Sequence, residues 1–157
     1  DIKGFLENPS PDTGTGLDTH FDGAFAIAAF NAIGGTPYSG GAKVPVENSQ
    51  GGAGTRNSHW RESVLDRELM TGLYDPGVAN PLSILTVQSL RDLGYVVDNG
   101  AADPLTIVTS LMAGEGPAAG PQILLKDDIR RGPIHRVDGR GRRIGGPVSA
   151  KPAAGRK

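Results

Sequence analysis

The histidine and tryptophan of His59-Trp60 close a glycine-rich run, Gly51-Gly52-Ala53-Gly54-Thr55-Arg56-Asn57-Ser58. Eleven residues further on, Met70 stands inside Glu68-Leu69-Met70-Thr71-Gly72. A neutral imidazole is a good ligand for Zn²⁺, and a catalytic zinc takes three protein ligands plus an open position for water. His59 alone cannot make such a site. Taken singly, a loop histidine is an ordinary surface residue, and a methionine in a turn is an ordinary core filler. The pairing of the two asks for more. With no cysteine in the chain, thiolate metal sites and disulfides are excluded.

The other chemistry-bearing residues suggest less. His20 beside Asp22 reads as a helix-entry or surface pair, with no third group spaced for a metal. His135 sits among Arg130, Arg131 and Arg136, a cationic setting that disfavours a bound cation. Glu62, Asp66 and Glu68 offer a carboxylate pair but read more readily as a solvated acidic face, with Glu68 also a candidate to line a substrate cleft next to Met70. No Gly-Lys-Ser/Thr follows the glycine runs, so none of them is a phosphate loop.

Few regular elements are available to position these groups. A helix is expected from about Gly23 to Ile33, with Asp22 as N-cap. Its apolar stripe is expected on Phe25, Ala28, Ala29 and Ala32, widened by Ile27 and Phe30, and Gly34-Gly35 stops it. Lys43–Glu47 reads as an extended piece that Pro45 confines to a sheet edge. Leu65, Leu69 and Met70 suggest a half-buried turn. The clearest helix spans 83–93, from Ser83 as N-cap to Gly94, with Ile84, Val87, Leu90 and Leu93 marking its apolar face. Tyr95-Val96-Val97 reads as a short strand before an Asn99-Gly100 turn, and Gln122–Lys126 as a weak strand.

Composition limits the core. Gly 24 and Pro 12 favour loops, and the apolar fraction of 37% with 5% aromatics is thin for 157 residues. The formal net charge of −1 hides an asymmetry. Residues 1–125 hold 6 Lys+Arg against 14 Asp+Glu, whereas 126–157 hold 10 against 3. A basic tail of this kind docks on an acidic body, binds polyanions, or stays solvated. No run of 18 apolar residues is present, so no membrane span is expected. We divide the chain into residues 1–113 and a Gly/Pro/Arg-rich stretch, 114–157, expected to be a linker, disordered, or the start of another module.

Several segments together carry a family resemblance. Phe21-x-Gly23-x-x-Ala26, the glycine run ending in Ser58-His59-Trp60, Glu68–Gly72, and Asn80–Tyr95 with Val97 and Ala101-Ala102-Asp103 cover roughly residues 4–105. In these the chain resembles the part of leishmanolysin-type metallopeptidases, a metzincin family, that surrounds and follows the methionine turn. The resemblance implies an α+β fold: a loop-rich C-terminal subdomain with few short helices. It implies His59 as the third zinc ligand and Met70 as the apolar floor beneath the metal. Residues 1–58 then correspond to most of the family's insertion between the second and third zinc histidines.

The His-Glu-x-x-His helix of such enzymes appears nowhere in these residues, which begin at Asp1 rather than Met. It is expected just before Asp1, carrying two ligands and the general-base glutamate. The chain would then be an inactive C-terminal fragment of a zinc metalloendopeptidase, with the N-terminal half of the same protein as partner and a peptide or protein as substrate. Its location would be extracellular or at the cell surface, and the lack of Cys points to a bacterial-type relative. The alternative is a non-catalytic secreted binding or adhesion module on a peptidase-like scaffold. A nucleic-acid binder working through the basic tail is a third reading, disfavoured by the absence of interleaved aromatics.

Overall fold

The computed structural model describes residues 3–11, 17–38, 40–107, 123–124, 134–138, 140 and 142–148. Two compact units divide the chain, Asp1–Asp127 and Asp128–Lys157. In the first, β1 (Leu6–Glu7), β2 (His20–Phe21) and β3 (Val44–Pro45) form an antiparallel sheet in chain order. Pro45 lies on an edge strand, where its missing N–H is tolerated. Helices α1 (Ala24–Phe30) and α3 (Ile84–Asp92) pack on each other, and α2 (Glu62–Leu65) is a single turn. A two-stranded ladder joins β4 (Leu73–Tyr74) to β5 (Ile123–Leu124). The second unit holds a hairpin of β6 (Ile134–Val137) and β7 (Arg143–Val148). Mixed short helices and strands joined by long loops make this an α+β chain. Residues 114–121, read as a linker, lie outside the described residues. Among the described residues, no helix is long and apolar enough to cross a membrane.

α1 buries a different stripe from the one expected. Ala26, Ala29, Phe30 and Ile33 are buried, while Phe25, Ala28 and Ala32 face outward. Both sets obey i, i+3, i+4, i+7 spacing, so periodicity alone cannot separate them. Burying Phe30 and Ile33 removes more apolar area from water than burying alanines does. Phe25 instead lies under the Arg91 guanidinium, 3.8 Å from the ring centroid. Asn31–Gly35 continues as a wider π-type turn that breaks at Gly34 (φ 109°). A Cβ on Gly34 would stand 2.9 Å from the Ile107 carbonyl oxygen, so the expected glycine stop has both a dihedral and a steric reason.

The N-terminus of α1 is capped from another element, and Asp22 takes no part. Gly23 occupies the N-cap position, and Asp92 at the end of α3 accepts from Phe25 N (3.1 Å) and Ala26 N (2.8 Å). The Asp92→Ala variant should lose about 1–2 kcal/mol in urea unfolding, the usual cost of a lost cap. Asp22→Ala should be nearly silent, and the reverse order would show that the cap works otherwise.

α3 starts at Ser83 and ends before Gly94 (φ 97°), as expected. The Ser83 hydroxyl makes no cap hydrogen bond, however, because it donates to Glu68 Oε1 at 2.7 Å. Leu85 and Val87 are buried, whereas Leu90 is 42% exposed. Tyr95–Val97 is not a strand: it has no partner strand among the described residues, and Val96 is fully exposed. β-Propensity cannot replace a missing ladder. The main cluster of buried side chains includes Phe30, Val44, Val46, Trp60, Leu65 and Leu85.

Candidate functional site

His59 and Met70 come together at one cavity. Its volume is about 350 Å³, and Leu6, Phe21, Val46, Trp60 and Leu93 give it an apolar wall. Asn57, Ser58, His59, Met70, Thr86, Ser89 and the half-exposed Leu90 complete the lining. The backbone joins the two segments directly, since Trp60 N donates to Met70 O at 2.9 Å. Trp60 also bridges Val46 on one side and Thr71 on the other. The indole meets Phe21 edge to face, centroids 5.9 Å apart, a favourable aromatic geometry.

The imidazole has a fixed inner side. His59 Nδ1 lies 3.2 Å from Thr55 O and 3.2 Å from Ser58 Oγ. A carbonyl only accepts, so the Thr55 contact puts the ring proton on Nδ1 and leaves Nε2 with a lone pair. Metal-binding histidines are commonly oriented in this way, one nitrogen on a backbone carbonyl and the other on the ion. Among the described residues the cavity lining contains no second histidine and no carboxylate. His59 therefore offers one of the three protein ligands that a catalytic zinc takes, and Met70 lines the same cavity.

Thr55 is itself held by glycines. It is fully buried, and a Cβ added at either Gly51 or Gly72 would collide with its side chain. The glycine ending Glu68–Gly72 is thus needed for close approach beneath the residue that orients His59. Gly72→Ala should destabilise by about 1–3 kcal/mol, the range for overpacking. It should also shift the His59 ring resonances in NMR spectra. Unmoved ring signals would disconnect this glycine from the imidazole.

Two buried carboxylates organise the loops around the cavity, and sequence reading assigned neither to that role. Glu68 is fully buried and does not line the cavity, contrary to the expectation of a cleft residue. Its Oε1 accepts from Ser83 N (3.0 Å), Ser83 Oγ (2.7 Å) and Thr86 Oγ1 (2.6 Å), and its Oε2 from Met70 N (2.6 Å). A carboxylate at the start of α3 also suits the positive end of the helix dipole. Thr86 Oγ1 takes the Trp60 indole N–H at 2.7 Å, which extends the network to the residue beside His59.

Glu47 anchors the other loop. Its Oε1 accepts from Asn48 N, Ser49 N, Ser49 Oγ and Gln50 N, and its Oε2 from Glu62 N. Burial pushes its carboxyl up, but the N–H groups of Gln50, Ser49 and Glu62 outweigh that and hold it below the ordinary value. Its backbone N–H donates to His59 O, and its carbonyl accepts from Asn57 N. Residues 47–59 are thereby closed into a loop with His59 at the exit.

The remaining candidates lie apart. Among the described residues, Glu62, Asp66 and Asp75 place carboxylate oxygens within 4.8 Å of one another, a group that does not include His59. Burial, then the charge of Asp75, raises the Asp66 carboxyl. Glu62 and Glu68 are buried, so the expected solvated acidic face is not formed. His20 Nδ1 contacts Asp18 O at 2.7 Å rather than Asp22. His135 lies in β6. The chain matches no protein-family model, no curated protein and no solved structure.

Proposed function

We propose that this chain is the C-terminal part of a leishmanolysin-like zinc metalloendopeptidase, inactive alone and completed by the N-terminal half of the same protein. The observation that carries the reading is the convergence of His59 and Met70, eleven residues apart, on one cavity. His59 would hold the metal through Nε2, with Thr55 O and Ser58 fixing the ring, and Met70 would form the floor. Zinc, when bound in such a site, lowers the pKa of its water to about 7 and polarises the scissile carbonyl. Trp60 and Phe21 make part of the cavity wall beside the imidazole apolar. The general base and the two other ligands belong to the complementary half. A peptide or protein substrate, and a place outside the cell or on its surface, follow from the same reading.

The largely apolar wall of the cavity also suits a second reading, a non-catalytic secreted binding or adhesion module on the same scaffold. Calorimetric titration with zinc separates the two. This chain should show only the weak, pH-dependent binding of a lone imidazole. The protein extended upstream through His-Glu-x-x-His should bind one zinc and cleave a casein substrate. Tight one-to-one binding by this chain through His59 alone sinks the peptidase reading. So does an upstream helix without the two histidines and the glutamate, which leaves the binding module.

A further inference from the structure

The second unit carries a charge that the site at His59 does not use. Residues 128–157 hold 9 Lys+Arg against 2 Asp, and no Phe, Tyr or Trp. Asp138 Oδ1 accepts from Arg140 N (2.9 Å) and Arg142 N (3.0 Å), and Oδ2 accepts from Arg142 Nε (2.9 Å). Asp138 N donates to Arg142 O at 2.9 Å, closing the turn. One of the unit's two acidic groups is therefore committed to holding the turn through Arg142. Arg140 and Arg143 remain exposed, and Ile144, next to Arg143, is 52% exposed.

Among the described residues β6 and β7 form a sheet of two strands. A two-stranded hairpin alone is marginally stable in water, so a surface that receives its cations would stabilise it. We propose that the β6–β7 hairpin docks peripherally on an anionic phospholipid surface, with Arg140 and Arg143 on headgroup phosphates. Guanidinium groups pair well with phosphate oxygens. Single-stranded nucleic acid is the weaker match, because its binders stack bases on aromatic rings and this unit has none.

The test is co-sedimentation of the full chain with vesicles of phosphatidylcholine alone or with about 30 mol% phosphatidylglycerol, at low salt and at about 0.15 M salt. The chain should partition onto the anionic vesicles and leave them as salt rises. Each cation near such a surface is worth about fivefold in partition, so Arg140→Gln with Arg143→Gln should weaken binding about 25-fold. Arg140→Lys with Arg143→Lys keeps the charge and should retain most of it, which guards against a merely misfolded variant. Equal binding to neutral vesicles, or none to anionic ones at low salt, overturns the proposal. A lysine pair as weak as the glutamine pair does so as well. Displacement by a single-stranded oligonucleotide at equal phosphate concentration would transfer the unit to nucleic acid.

Discussion

Glu68→Ala is expected to cost about 3–5 kcal/mol and to bring the first unit close to unfolding at room temperature. Four donors converge on this carboxylate: the Ser83 and Met70 backbone N–H groups and the Ser83 and Thr86 hydroxyls. Truncation leaves them in a fully buried space. Each unsatisfied buried group costs roughly 1–3 kcal/mol, against a total stability of about 5–15 kcal/mol for a domain. Glu68→Gln keeps the shape but replaces one acceptor oxygen with a donor that faces other donors. It should lose about half as much. Urea midpoints followed by far-UV circular dichroism give both numbers. An alanine variant within about 1 kcal/mol of the parent would mean that water enters and replaces the carboxylate.

Glu47 should give the second largest effect, visible as a dependence on pH. Its folded pKa lies below the ordinary value of 4.5. The stabilisation it provides is therefore complete above the unfolded value, and it is lost as pH falls through the lower folded one. Between those two values the unfolded chain binds more protons, so stability rises with pH. Glu47→Gln should remove about 2–4 kcal/mol near neutrality and flatten that part of the acid limb. Asp18, held low chiefly by its hydrogen bond from Lys43, contributes a limb of the same sign in both proteins. The difference between parent and variant isolates Glu47. Parallel curves from pH 2 to 6, roughly the range over which paired carboxylates titrate, would remove its role as the loop anchor.

The legible parts of this fold were local. Ser83 and Gly94 bracket α3, and Gly34 ends α1, because start and stop chemistry acts within a few residues. Pro45 on a sheet edge follows from its missing N–H. The stripe of α1 was ambiguous for a local reason: Ala24–Phe30 is apolar all round, and two faces have the same spacing. Asp22 failed as the cap of α1, and Ser83, though it is the N-cap residue of α3, makes no cap hydrogen bond, because carboxylates distant in sequence intervene in both places. Asp92 serves α1, and Glu68 reaches Ser83. An acidic residue in a polar stretch reads as solvated until its donors come in from elsewhere, which is why the buried Glu47 and Glu68 escaped notice. The meeting of His59 and Met70 was implied by the family resemblance, since each residue taken singly reads as ordinary. The apolar wall of Phe21, Val46 and Leu93 could come only from tertiary packing.

One consequence follows from the position of the chain's lone indole. Trp60 is 7% exposed, its ring N–H is tied through a hydroxyl to the buried carboxylate of Glu68, and its own backbone continues from the imidazole. Its ultraviolet emission is an intrinsic optical gauge of that whole assembly. Occupancy of the neighbouring hollow by a ligand, or rupture of the hydrogen-bonded chain, changes the same colour and intensity without any added label.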